Sequence, residues 1–293
     1  MKIGFIGLGI MGESMCENIV KKHNDTVYCN DHKDSQIKKL ESFGCVGCYS
    51  NLEIAERADV IITMIPTGQH VKNAYAEMLP ALKEGKICID MSTIEPWVSL
   101  EVARTVKNTG AQFADCPVVR SKADAIKGTL GVLAGCDREL FPVIEPILCY
   151  MGQKVIYMGE NGKGLNAKIC HNTLVAEIQN GVNETLLLAQ RLGISVDNFA
   201  DAVAAGGANN SYMAVQRENL KNEDWTTAFS MENMYKDISI CDKIAQDEDF
   251  YMPGMKAAKA SLGKGVLNGW GKDDFRKTYL IVKNGEARGT DNE

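Results

Sequence analysis

Residues 2–12 read KIGFIGLGIMG, and the reading of this stretch decides the fold. An apolar run of strand length, 2–6, breaks at Gly7, and Gly7, Gly9 and Gly12 punctuate the turn before SMCENIVKK (14–22) takes up helical periodicity, with Met15, Ile19 and Val20 on one face. A strand feeding a helix through such spacing suits a pyrophosphate. The first glycine permits the tight turn, the second lets phosphate approach backbone N–H groups, and the third lets the helix lie close to the strand. The spacing alone is weak evidence, but its place between a strand and a helix gives it weight. Asp31 closes the next strand-like segment, TVYCND (26–31), 22 residues after Gly9. A carboxylate there accepts hydrogen bonds from the 2′- and 3′-hydroxyls of a ribose. It would repel a 2′-phosphate, a repulsion that Lys33 offsets only in part, so NAD is expected in preference to NADP. An aspartate that merely caps a helix is the plainer alternative.

Working outward, DVIITMIP (59–66), GKICIDMS (85–92), QFADCPV (112–118), GVLAGC (131–136) and KVIYMG (154–159) are further strand-like runs. Helix-like stretches such as SQIKKLESF (35–43) and SLEVARTVKNTG (99–110) lie between them. Alternating strand and helix predict an α/β fold with a doubly wound parallel sheet. Past residue 162 helical spacing dominates, beginning with one long helix from about Leu165 to about Leu192. The expected organisation is a dinucleotide-binding domain over 1–162 and an all-helical domain over 163–293. The last ten residues, NGEARGTDNE, are polar and expected to fray.

Composition narrows the class. A chain of 293 residues with 45% hydrophobic and 24% charged residues is an ordinary globular protein long enough for two cores. A net charge of −6 without a basic stripe argues against a nucleic-acid surface. No stretch reaches the roughly 18 apolar residues of a membrane span, and the N-terminus runs into its glycine motif without a leader's cleavage pattern. A cytoplasmic location is expected. The ten cysteines are scattered through apolar segments, as suits buried free thiols. Cys45 and Cys48 form a lone CxxC with no second pair, so no metal is expected.

The ordered series FIGLGIMG (5–12), TMIPTG (63–68), IDMST (89–93), DCPV (115–118), GTL (128–130), GKGLNAKICHN (162–172) and MYKDI (234–238) resembles the β-hydroxyacid dehydrogenase family, which includes 3-hydroxyisobutyrate dehydrogenase, tartronate semialdehyde reductase and 6-phosphogluconate dehydrogenase. The resemblance covers nearly the whole chain. It implies a Rossmann-type N-terminal domain, a helical C-terminal domain for substrate and assembly, and homodimers or homotetramers built on the long helix. By position in these motifs, Lys168 matches the catalytic lysine and Asn172 the substrate-positioning asparagine. Lys236 matches a second lysine near the nicotinamide. Ile10 and Met11 belong to the glycine turn, and Met64, Ile65, Pro66 and Thr93 are expected to line the cofactor, with Ser92 beside them. Lys168, His171 and Asn172 fall at i, i+3 and i+4 of the long helix and so share a face. An ammonium there serves as proton donor and acceptor for hydride chemistry at an adjacent carbon. Read without the resemblance, Lys168 is equally a solvated helix lysine, and His171 is either packed into its surroundings or a donor to an anionic substrate.

Where most of the family continues DxPV with Ser-Gly-Gly, this chain has Val119, Arg120 and Ser121. The change removes backbone amides and adds a guanidinium fork suited to an oxyanion with several oxygens. The pattern PVxRSxADAIxGTL (117–130) resembles the sulfolactaldehyde reductase branch. That branch interconverts 3-sulfolactaldehyde and 2,3-dihydroxypropane-1-sulfonate with NADH, its arginine and following hydroxyl residue holding the sulfonate. Arg120 and Ser121 take that role by position, with His171 and Val175 departing from the branch's helix residues. Arg120 paired with Asp124 on the surface is the alternative. A carboxylate substrate such as succinic, methylmalonic or tartronate semialdehyde is the second expectation within the same chemistry. An imine reductase would lack Lys168, and a non-catalytic NAD-binding relative would lack the lysine or carry added domains.

Overall fold

The computed structural model describes residues 1–285 of the chain. Residues 286–293, most of the tail expected to fray, lie outside the described residues. The chain divides into two compact units at 168/169.

In the first unit, β1 (Ile3–Ile6), α1 (Gly12–Lys22), β2 (Val27–Asn30), α2 (Asp34–Glu41), β3 (Val46–Gly47), α3 (Asn51–Arg57), β4 (Val60–Thr63), α4 (Gly68–Met78), β5 (Ile87–Asp90), α5 (Pro96–Lys107) and β6 (Gln112–Asp115) alternate as the sequence predicts. The strands pair in parallel in the order β3-β2-β1-β4-β5-β6. A sheet covered on both sides buries successive residues into different cores. Thus Val60 and Ile62 of β4 join the core that holds Met15 and Ile19 of α1, whereas Ile61 between them joins the core that holds Val71 and Tyr75 of α4. This is why these strands read as unbroken apolar runs.

The far edge departs from the all-parallel expectation. There, β7 (Val118–Val119), α6 (Lys122–Lys127), β8 (Leu130–Cys136), α7 (Phe141–Leu148) and β9 (Gly152–Gly159) follow, and β8 runs antiparallel to both β6 and β7 while β9 lies parallel to β8. Cys116 and Pro117 separate β6 from β7, proline having no N–H for the ladder. The six-residue α6 is too short a crossover to return the chain in parallel, so the strand comes back reversed. An apolar run buried on both faces carries no sign of its direction.

The second unit is helical: α8 (Lys163–Arg191), whose first turns belong to the first unit, then α9 (Val196–Ala205), α10 (Ser211–Asn222), α11 (Met231–Asp247), α12 (Pro253–Leu267), a 3-10 turn (Phe275–Thr278) and α13 (Tyr279–Asn284). The division falls inside α8 and not at 162/163 because Asp115 and Leu165 bind the first turns to the sheet unit. Gly162 and Leu165 amides donate to Asp115, and Leu165 is fully buried in the core beside α4. Farther along, α8 contributes Ile169, Ala176, Val182 and Leu186 to the core that also holds residues of α11 and α12. Its buried face also carries Gln179 and Asn183, both of which donate to the Thr278 hydroxyl. Their amide N–H groups are tolerated inside because they are paired.

Candidate active site

The three glycines of the first turn serve three separate purposes. Gly7 has φ +96°, and a Cβ there would collide with the Met64 carbonyl. A Cβ at Gly12 would collide with the Gly7 carbonyl, so the third glycine seats α1 on the strand end. At Gly9 a Cβ would meet nothing within 4 Å, so this backbone faces open space. No side chain among the described residues caps the start of α1, which leaves its positive N-terminal end for an anion. The residues present therefore fit a pyrophosphate.

Beside this turn lies a cavity of about 820 Å³ lined by residues that include Gly7, Gly9, Asp31, Met64, Ile65 and Pro66, with Tyr49, Asn51, His70, Asn73, Ala74 and Glu77 also on the wall. The Asp31 carboxylate is held at its edge by the amides of Leu8 (2.7 Å) and Lys33 (2.9 Å), and the His32 ring lies 3.0 Å away. Ile10, Met11, Gly12 and Thr93 are outside the lining, and Ile10 is 72% exposed. Sequence reasoning missed the α4 residues. Their signal was present, since 70, 73, 74 and 77 follow the i, i+3, i+4, i+7 rule for one helix face.

Ser92 has a structural place. Its hydroxyl donates to Asp90 (2.6 Å) and accepts from the Ile65 amide (2.8 Å), which fixes the 64–66 loop on the end of β5. Asp90 is fully buried, and burial raises its carboxyl above the ordinary range against the Ser92 and Thr63 donors. At the end of β6, Asp115 accepts from Gly162 (2.6 Å) and Leu165 (2.9 Å) at the start of α8. Burial pushes this carboxyl up to about 7, with both amides pulling the other way.

Arg120 adopts φ +85°. An L residue is strained there, by about 1–3 kcal/mol. Its Nη1 donates to the Thr129 carbonyl (2.9 Å) and lies 3.8 Å from Asp124, beyond hydrogen-bond reach. The Nε and Nη2 donors have no partner among the described residues, and the side chain is 47% exposed. The Ser121 hydroxyl donates to Asp124 (2.7 Å), so its proton is already engaged at the start of α6.

On α8, Lys168 is only 8% exposed, which excludes a solvated helix lysine. One turn later the buried Asn172 amide donates to Asp237 (2.7 Å), and the exposed His171 places Nδ1 3.1 Å from the Asn172 carbonyl oxygen. Asp237 is 1% exposed, and the Lys236 ammonium lies 3.2 Å from its other oxygen. Asp237 is thus the group that orients Asn172 and Lys236, and sequence reasoning passed over it. Its spacing from the buried Met234, Ile238 and Cys241 on α11 was the available clue. Cys45 and Cys48 are both buried, and burial pushes the Cys48 thiol up to about 11.

Two family models cover most of the chain: the NAD binding domain of 6-phosphogluconate dehydrogenase matches residues 2–159, and the NAD-binding domain of NADP-dependent 3-hydroxyisobutyrate dehydrogenase matches residues 162–281. The 2-(hydroxymethyl)glutarate dehydrogenase of Eubacterium barkeri is 27% identical, over 96% of this chain and 94% of its own. Glyoxylate/succinic semialdehyde reductase 1 of Arabidopsis thaliana is 28% identical, over 97% of this chain and 99% of its own. A structure of Mycobacterium tuberculosis 3-hydroxyisobutyrate dehydrogenase with L-serine superposes with a TM-score of 0.89 at 27% identity, covering 96% of this chain and 99% of that one.

Proposed function

The chain belongs to the 3-hydroxyisobutyrate dehydrogenase-like β-hydroxyacid dehydrogenase family and is an NAD-dependent oxidoreductase, and from that premise we propose that it reduces 3-sulfolactaldehyde to 2,3-dihydroxypropane-1-sulfonate by reversible hydride transfer. The observation that carries the substrate is Arg120. Its backbone is held at φ +85°, a conformation that glycine would adopt without strain, and its Nε and Nη2 donors have no protein partner among the described residues. A sulfonate offers three acceptor oxygens and keeps its charge at physiological pH, so two parallel charge-assisted hydrogen bonds form on one face of the fork.

Each remaining role follows from position in the family motifs. Bound NADH supplies the hydride. Lys168 donates a proton to the carbonyl oxygen as charge develops on it, and accepts that proton back during oxidation. Asn172, with one amide proton on Asp237, keeps the other for the same oxygen. Thr93 and Lys236 border the nicotinamide end. His171 turns one nitrogen to Asn172, and Ser121, next to Arg120, holds the Asp124 carboxylate, to which it donates.

A second reading, a small carboxylate semialdehyde, is favoured by the relatives named for glyoxylate, succinic semialdehyde and 2-(hydroxymethyl)glutarate, since a guanidinium also grips a carboxylate bidentately. A panel of sulfonated and carboxylated aldehydes with NADH separates the two. Arg120→Ala is expected to lower kcat/KM on the sulfonate about 100-fold, the loss of two charge-assisted bonds, with NADH affinity held within about twofold. An unchanged sulfonate rate ends the sulfonate assignment.

Assembly is proposed to use α8. Leu174, Gly181 and Leu188, with Leu192 just past its end, form an exposed row at successive spacings of seven, seven and four residues, of the kind that seats one helix on another. The occupant proposed is a second copy of this chain.

A further inference from the structure

The cavity beside the glycine turn has a polar end that pyrophosphate and ribose leave unused. In a dinucleotide the purine follows the ribose, so with phosphate at Gly9 and ribose at Asp31 the base meets the wall made by Tyr49, Asn51, His70, Asn73 and Glu77. That wall is ordered by a chain of side-chain bonds. Asn30, the last residue of β2, donates to the Asn51 carbonyl oxygen (2.8 Å), and the Asn51 amide donates to Glu77 Oε2 (2.8 Å). The fixed amide orientation of Asn51 in turn fixes the Glu77 carboxylate. Its Oε1 has no partner among the described residues. His70 is likewise held, its Nδ1 2.8 Å from the Thr67 hydroxyl.

We propose that Glu77, braced by Asn51, reads the base of the cofactor: its Oε1 accepts a hydrogen bond from the exocyclic amine of a 6-aminopurine and rejects a purine that presents a 6-oxo group. An acceptor-only carboxylate suits the adenine edge, where position 6 is a donor. Hypoxanthine puts an oxygen at that position, and two acceptors facing each other repel. The specificity thus comes from a group left unsatisfied by the wrong ligand. The proposal rests on NAD filling this cavity, and its test separates the two ideas.

The full chain and its Glu77→Gln and Glu77→Ala variants are titrated with NADH and with reduced nicotinamide hypoxanthine dinucleotide, read by nicotinamide fluorescence. Because Glu77 is exposed, neither variant threatens the fold. Wild type is expected to bind NADH about tenfold more tightly than the hypoxanthine form, the low end for a hydrogen bond to a charged group. Glu77→Gln, which can also donate to a 6-oxo group, is expected to narrow the ratio to about twofold or less, and Glu77→Ala to do so by weakening NADH alone. Equal affinities in wild type, or a tenfold ratio that survives both substitutions, would overturn the base-reading role. Binding of neither dinucleotide would overturn NAD occupancy of the cavity and this proposal together.

Discussion

At the residue scale, burial and backbone angle do more than residue type to set the roles proposed here. Lys168 lies 8% exposed one turn before Asn172, whose amide is fixed by a carboxylate that is itself 1% exposed. Lys168→Ala is expected to lower kcat by about 10²–10⁴, the usual range for loss of a general acid, while NADH titration stays near wild type. Turnover that persists in the variant would remove Lys168 from the chemistry. Arg120→Gly probes a different property of its residue. Relief of the strain at φ +85° is expected to raise stability by about 1 kcal/mol in denaturant unfolding, together with loss of sulfonate turnover. A variant no more stable than wild type would mean that this loop holds no strain. The sequence exposed Arg120 as a departure from its family but could not show its φ, because a residue's type does not state its dihedral. Asp237 was hidden differently: next to Lys236 it reads as half of a solvated charge pair, and only the packing of α11 buries it.

At the element scale, the start of α8 hangs on one carboxylate. Burial keeps a proton on Asp115 up to about pH 7, whereas the ordinary aspartate value is 3.8. Between those values the native state binds more protons than the unfolded chain, so stability is greatest below about pH 4, falls as pH rises toward 7, and is level above. Asp115→Asn is expected to flatten that slope. It should also cost about 1–3 kcal/mol, because an amide has one acceptor oxygen for the two N–H groups of Gly162 and Leu165. Urea unfolding at pH 5 and pH 8 measures both effects. An unaltered slope would assign it to other groups, with Asp90, also raised by burial, the first to test. The helix itself was legible to within two residues at its start because Gly162 and Gly164 punctuate it. The antiparallel course of β8 was not, since a run buried along its whole length looks alike in either direction.

At the scale of the whole molecule, the domain order was legible because strand-like runs stop near residue 162 and helical spacing takes over, and the family models meet between 159 and 162. What the pattern concealed was the dual character of α8, whose inner face is rich in amides and whose outer face is rich in leucine. Leu174, Leu188 and Leu192 are 55%, 58% and 71% exposed. If a like chain shelters them, folding and association become one equilibrium, and mass action favours the ordered form as subunits accumulate. The thermal midpoint is then expected to climb with protein concentration, and Leu188→Lys should abolish that climb. A midpoint that ignores dilution would leave those leucines facing water, and heat resistance would be a property of each chain by itself.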